Sequence, residues 1–177
     1  MRRLIVALGK FLRSMSIAEN AKSLKEKCMR LLASFMVTYD IKEYTIGVSL
    51  SPEESLATGI IDDDLTDILT TLGKLAKENR ETICIFIDEV QFLQTEQIRA
   101  IVAAIHRCNQ LRLPISIWCA GLPKAVEVIN KSCSYAERMF DYIPIGRLSA
   151  EESCAAISEP AKALGVTLDP QRECSQT

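Results

Sequence analysis

The chain has no apolar run near the ~20 residues that a bilayer-spanning helix needs. Its charges nearly cancel: 21 Lys and Arg against 23 Asp and Glu leave a net charge of −2. That removes any global electrostatic case for a nucleic-acid coat or a polybasic membrane module. There is one histidine, His106, and no two of the seven cysteines form a C-x-x-C pair, so a structural zinc site lacks its ligands. An odd cysteine count fits a disulfide framework poorly, and reduced thiols point to the cytoplasm. We expect Cys84 and Cys119, inside apolar runs, to act as small buried hydrophobes. After Met1-Arg2-Arg3 the apolar stretch ends at Gly9-Lys10 with no small-residue cleavage site, so it reads as an amphipathic helix rather than a signal peptide. Glycine is scarce as well, with seven scattered along the chain.

What is present is enough for an ordinary core: 177 residues, 48% hydrophobic and 25% charged. Residues 1–36 read as two helices. Leu4, Ile5, Leu8, Phe11 and Leu12 mark the first, and Ala21, Leu24, Cys28, Leu31, Leu32 and Phe35 the second. Residues 35–50 alternate and predict a hairpin turning around residues 40–43. From Asp62 the pattern becomes α/β. Three aspartates open a helix through Leu65, Ile68, Leu69, Leu72 and Leu75, as suits its positive end. Residues 82–87 and 114–119 predict strands buried on both faces, and 142–145 a third strand. Helices are expected over 95–109, 123–130 and 149–164, the last opened by the capping box Ser149-x-x-Glu152. This succession is the grammar of a parallel sheet.

The segment with most chemistry is Ile83-Cys84-Ile85-Phe86-Ile87-Asp88-Glu89, an apolar strand ending in two adjacent carboxylates. Ligands of parallel sheets bind beyond the carboxyl ends of the strands. One reading is a nucleotide site; the other is that Asp88 and Glu89 simply lie near the start of the next helix.

The stretch Phe86-Ile87-Asp88-Glu89-Val90-Gln91-Phe92-Leu93 resembles the Walker B segment of AAA-type P-loop ATPases, in the prokaryotic branch related to origin-recognition and signal-transduction NTPases. The likeness continues through Ala103-Ala104-Ile105-His106-Arg107, Leu113-Pro114-Ile115, Ala120-Gly121-Leu122-Pro123, Ser134-Tyr135-Ala136-Glu137-Arg138-Met139-Phe140 and Ile145-Gly146-Arg147-Leu148-Ser149. It implies an α/β fold: a partial P-loop NTPase sheet with flanking helices. Residues 1–58 would be a helical and β-hairpin insertion, 59–148 the partial ATPase core, and 149–177 the start of a helical lid.

By this resemblance Asp88 is the Mg²⁺-side carboxylate, acting through water, and Glu89 is the catalytic one that orients the attacking water. Gln91 helps to organise the cofactor site; its alternative role is a loop hydrogen bond. Arg138 stands where related ATPases place an arginine that reaches a phosphate, sometimes in a neighbouring subunit; its alternative is an ion pair with Glu137 or Asp141. The implied cofactors are ATP and Mg²⁺. The strand over 115–119 should carry a polar nucleotide-sensing residue at its tip, but that tip reads Cys119-Ala120-Gly121.

The family's G-x-x-x-x-G-K-[ST] loop, whose amides cradle the phosphates, is absent from the sequence. We therefore expect a truncated part of an AAA ATPase, with its own activity impaired; a split protein completed by a partner protein is the alternative, and the position of Arg138 leaves a homo-oligomer open. A non-catalytic interaction module is the competing expectation. DNA is a third, from the basic Arg2, Arg3, Lys10 and Arg13 and the Lys22, Lys25, Lys27 and Arg30 that extend them. No membrane partner is expected.

Overall fold

The computed structural model describes residues 1–17, 21–39, 55–134 and 136–166. The elements are α1 (Arg2–Ser14), α2 (Lys22–Thr38), α3 (Ile61–Glu78), β1 (Ile83–Ile87), α4 (Thr95–Gln110), β2 (Ile115–Cys119), α5 (Lys124–Ser132) and α6 (Ala150–Ala163). Single 3-10 turns stand at Val90–Phe92 and Ala136–Arg138. The fold is mixed α/β, mostly helical, with a two-stranded parallel sheet among the described residues. It divides into two units, Met1–Asp141 and Tyr142–Thr177. No helix among the described residues is long and apolar enough to cross a membrane.

In the first unit a large apolar cluster gathers Ile5, Leu8 and Leu12 of α1, Leu32 and Phe35 of α2, Leu65, Leu69 and Leu72 of α3, Ile101 and Ile105 of α4, and Ile83, Ile85 and Ile115 of the strands. Each fully buried side chain of this kind contributes roughly 1.5–3 kcal/mol. α4 works on two sides. Its Ile101, Ala104, Ile105 and Cys108 enter that cluster, while Ile98 and Val102 enter a second one with Val90, Ala125, Ile129, Cys133 and Ala136.

Both helices that feed the strands stop in the same way. Arg80 (φ 57°) and Arg112 (φ 50°) take left-handed backbone just past α3 and α4. Glu81 N–H then donates to Ala76 O at 2.9 Å, and Leu113 N–H to Cys108 O at 3.0 Å. These are Schellman closures, which satisfy the last helical carbonyls and turn the chain back. The second one brings Leu113 against Gly73, where a Cβ would lie 2.8 Å from Leu113 Cβ. At the other end of α3, the buried Asp64 accepts from Thr58 N–H (2.6 Å), Thr58 Oγ1 (2.9 Å), Gly59 N–H (3.2 Å) and Tyr39 Oη (3.1 Å). It thereby ties the end of α2 to the start of α3.

Three expectations are corrected. The hairpin does not begin at residue 35, because α2 continues through Thr38. Phe35 and Met36 are buried, and the Phe35 ring lies 4.3 Å from the Tyr39 ring one turn on. Tertiary packing at helical spacing outweighs the β preference of Val37 and Thr38. The rest of that hairpin, residues 40–50, lies outside the described residues. The strands are not buried on both faces. Ile83 and Ile85 are buried, but Phe86 is 76% and Trp118 57% exposed, and Cys84 and Cys119 are exposed rather than buried. Residues 142–145 form no strand: Pro144 has no N–H for a ladder, and Ile143 and Ile145 are exposed.

The second unit contains α6. The Ser149–Glu152 capping box closes reciprocally, with Glu152 N–H donating to Ser149 Oγ at 3.1 Å and Ser149 N–H to Glu152 Oε2 at 2.8 Å. The Ser149 backbone N–H, and after it the Ser149 hydroxyl, hold the Glu152 carboxyl below its usual range. Pro160 sits inside the helix, which runs on to Ala163.

Candidate functional site at the carboxyl ends of the strands

β1 and β2 run parallel in the register Ile83↔Ile115 to Ile87↔Cys119, so their carboxyl ends lie side by side. Beyond the strands the chains stay linked through one residue. Ala120 N–H donates to Ile87 O (2.9 Å), and Ala120 O accepts from Val90 N–H (3.0 Å). Asp88 and Glu89 are therefore an excursion between two anchored residues, and both are exposed. The excursion closes because Glu89 takes left-handed backbone, φ 54° and ψ 44°. Unlike Arg80 and Arg112, it closes no helix. A non-glycine residue held in this region stores strain, and such residues cluster at functional sites.

The side chains are arranged as follows. Asp88 Oδ1 accepts from Glu89 N–H at 2.8 Å. Its Oδ2 takes no hydrogen bond among the described residues. Gln91 Nε2 donates to the Glu89 carboxylate. Gln91 Oε1 accepts from Leu122 N–H at 3.2 Å. Gln91 thus bridges the turn after β1 to the turn after β2. Gly121 makes room for it: a Cβ there would lie 2.5 Å from Gln91 Oε1 and 3.1 Å from both Ala125 Cβ and Val90 Cγ1.

Asp88, Glu89 and Gln91 are therefore brought together. Arg138 is not joined to them by a hydrogen bond or ion pair among the described residues. It lies exposed in the turn Ala136–Arg138, and no ion pair with Glu137 or Asp141 holds it there. Its turn does share packing with theirs, since Ala136 and Val90 belong to the same apolar cluster.

In comparisons with family models, curated proteins and solved structures, nothing matches the chain.

The residues fit one part of a Mg²⁺–nucleotide site. An exposed carboxylate with one oxygen unbonded among the described residues suits a water-mediated hold on Mg²⁺, which keeps most of its own waters. No group of three or more His, Cys, Asp or Glu among the described residues could cage a metal by itself. The triphosphate is not provided for: the sequence contains no glycine-rich loop ending in Lys and Ser or Thr. Asp88, Glu89 and Gln91 are named by the sequence, whereas Gly121 and Leu122 appear there only as parts of a resembling segment, with no role at the site. A signal was present, a glycine directly past a strand tip, but its meaning depends on which side chain arrives there.

Proposed function

We propose that this chain carries the carboxylate part of a nucleotide-hydrolysing site of the AAA-type P-loop class, completed by a phosphate-cradling loop outside these 177 residues. The observation that supports the reading is the Asp88–Glu89 excursion. Two exposed carboxylates stand on a strained turn at the carboxyl end of a parallel strand, anchored on both sides to its neighbour. When bound, Mg²⁺–ATP supplies the phosphoryl group that water attacks. Asp88 would hold the Mg²⁺ through water with its exposed carboxylate. Glu89 orients the attacking water and accepts its proton. Arg138, exposed and not ion-paired with Glu137 or Asp141, would be a cation for a phosphate.

The first test is the coding strand upstream of Met1. The expected finding is a G-x-x-x-x-G-K-[ST] motif, in frame or displaced by a frameshift. The joined protein should hydrolyse Mg²⁺–ATP, and Glu89→Gln should abolish turnover while sparing binding. Absence of the motif there and in any co-purifying chain would overturn the proposal.

One observation favours a second reading, an interaction module. Phe86 and Trp118 lie with ring centroids 6.5 Å apart on the open face of the sheet. Parallel sheets are ordinarily covered on both faces. Nucleotide-insensitive capture of one defined partner, lost in Trp118→Ser, would move this reading to first place.

A further inference from the structure

The Glu89 side chain is tied, through Gln91, to the turn that follows β2. Its carboxylate receives the Gln91 amide N–H, and the other end of that amide accepts from Leu122 N–H at 3.2 Å. An amide has one donor end and one acceptor end, so this orientation of Gln91 satisfies both neighbours at once. A glutamate there would repel Glu89, and an aliphatic residue would leave both groups without this partner. The approach is close, because the space that a Cβ at residue 121 would fill is taken by Gln91 Oε1. Val90, between Glu89 and Gln91, is buried and bonded to Ala120, so the backbone carrying the bridge is fixed at its centre.

We propose that Gln91 is a positioning residue that ties the Glu89 carboxylate to the turn at residues 120–123. Any movement of that turn is then transmitted to Glu89 through one side chain. The inference rests on the hydrolytic reading for its catalytic meaning, but the coupling itself does not need nucleotide. Gln91 acts through Glu89 and touches no reacting atom.

The test uses the full chain with Gln91→Met, which keeps the length and volume of the side chain and removes both bonds. Nuclear magnetic resonance of labelled protein follows the Leu122 backbone amide and the Glu89 carboxyl carbon. Both signals should move in Gln91→Met, and the Gln91 side-chain amide should move in Glu89→Gln. A merely space-filling Gln91 would leave the Leu122 and Glu89 signals in place, and that outcome overturns the proposal. In the joined, hydrolysing protein, Gln91→Met should lower kcat by about 10- to 100-fold with KM little changed, since small misplacements of a reacting group have effects of that size. Unchanged kcat with normal turnover would also overturn it. Should the wild-type joined protein not turn over, the hydrolytic reading falls, and the resonance experiment still decides the coupling.

Discussion

Gly121 and Gln91 compete for the same space. A Cβ on Gly121 would lie 2.5 Å from Gln91 Oε1, closer than such atoms can stand. The glycine is kept for access, since its φ does not lie in the left-handed region. Gly121→Ala should therefore evict the Gln91 amide from the Leu122 N–H. The side chain is free to swing outward, so the loss is that of one or two hydrogen bonds, about 1 kcal/mol. Denaturant unfolding checks the magnitude. An unchanged midpoint with an unchanged Leu122 amide resonance would mean that the contact is not made in solution.

Thiol reactivity should follow exposure along a single strand and its neighbours. Burial pushes Cys28 up to about 12 and Cys108 up to about 11, so both are protonated at neutral pH and sterically shielded. Cys84 is exposed on the open face of β1. Brief alkylation of the native chain, read by peptide mass spectrometry, should label Cys84 well before Cys28 or Cys108. Equal labelling of all three would show that the core opens on the labelling timescale.

Helices and strands were legible where one physical signal dominated. α3 is readable because Leu65, Ile68, Leu69, Leu72 and Leu75 repeat at helical spacing behind three aspartates, and all five are buried. α6 is readable from Ser149 and Glu152 alone. The strands were located but their surroundings were not. An apolar run does not tell whether Phe86 faces protein or open space, because that depends on which layers cover the sheet. Residues 35–39 misled for the opposite reason. Their local alternation is real, but Phe35 pairs with Tyr39 at i,i+4 and both sit at the end of a helix already anchored by Leu32. At the candidate site the acids and Gln91 could be named from their order along the chain. The Leu122 amide and Gly121 could not, because they are 31 and 30 residues away and meet Gln91 only through strand register.

Asp64 should matter more to stability than any exposed acid in the chain. It is buried and accepts four hydrogen bonds, two of them from backbone N–H groups of the segment entering α3. Asp64→Ala removes every one and leaves the Thr58 and Gly59 amides without this acceptor. The expected loss is about 3 kcal/mol, within the range for breaking a buried polar network. Asp64→Asn keeps the shape and should lie between the two. Loss below about 0.5 kcal/mol in Asp64→Ala would show that water replaces the carboxylate there.

Alkaline pH should weaken the fold through Tyr39. Burial, and then its hydrogen bond to the Asp64 carboxylate, push this phenol up to about 12. In the unfolded chain a tyrosine ionises near its ordinary value of about 10. Between these values the unfolded chain binds fewer protons than the folded one, so stability falls as pH rises. The contribution is complete below about pH 10 and is lost by about pH 12. Cys28 titrates in an overlapping range, so the comparison that isolates Tyr39 is with Tyr39→Phe. Stability of that variant should decline less steeply over the window. Parallel curves for the two proteins would remove Tyr39 as the source.

Glu89 should carry measurable backbone strain. Its φ of 54° and ψ of 44° place it in the left-handed region, where a side chain costs roughly 1–2 kcal/mol relative to the ordinary helical region and glycine is free of that penalty. Glu89→Gly relieves this strain. It also removes the exposed bond from Gln91 and adds freedom to the unfolded chain, each opposing the gain by a few tenths to about 1 kcal/mol. The terms nearly cancel, so the expected change in stability is within about 1 kcal/mol of zero. That is a small effect for a residue with both bonded and strained geometry. Glu89→Ala makes the decisive contrast, because alanine loses the same carboxylate and keeps the strain. Glu89→Gly should be the more stable of the two by about 1 kcal/mol in denaturant unfolding. Alanine equal to or better than glycine would mean that the turn relaxes out of the left-handed region in solution. The Asp88–Glu89 excursion would then owe its shape to the Ala120 anchors alone.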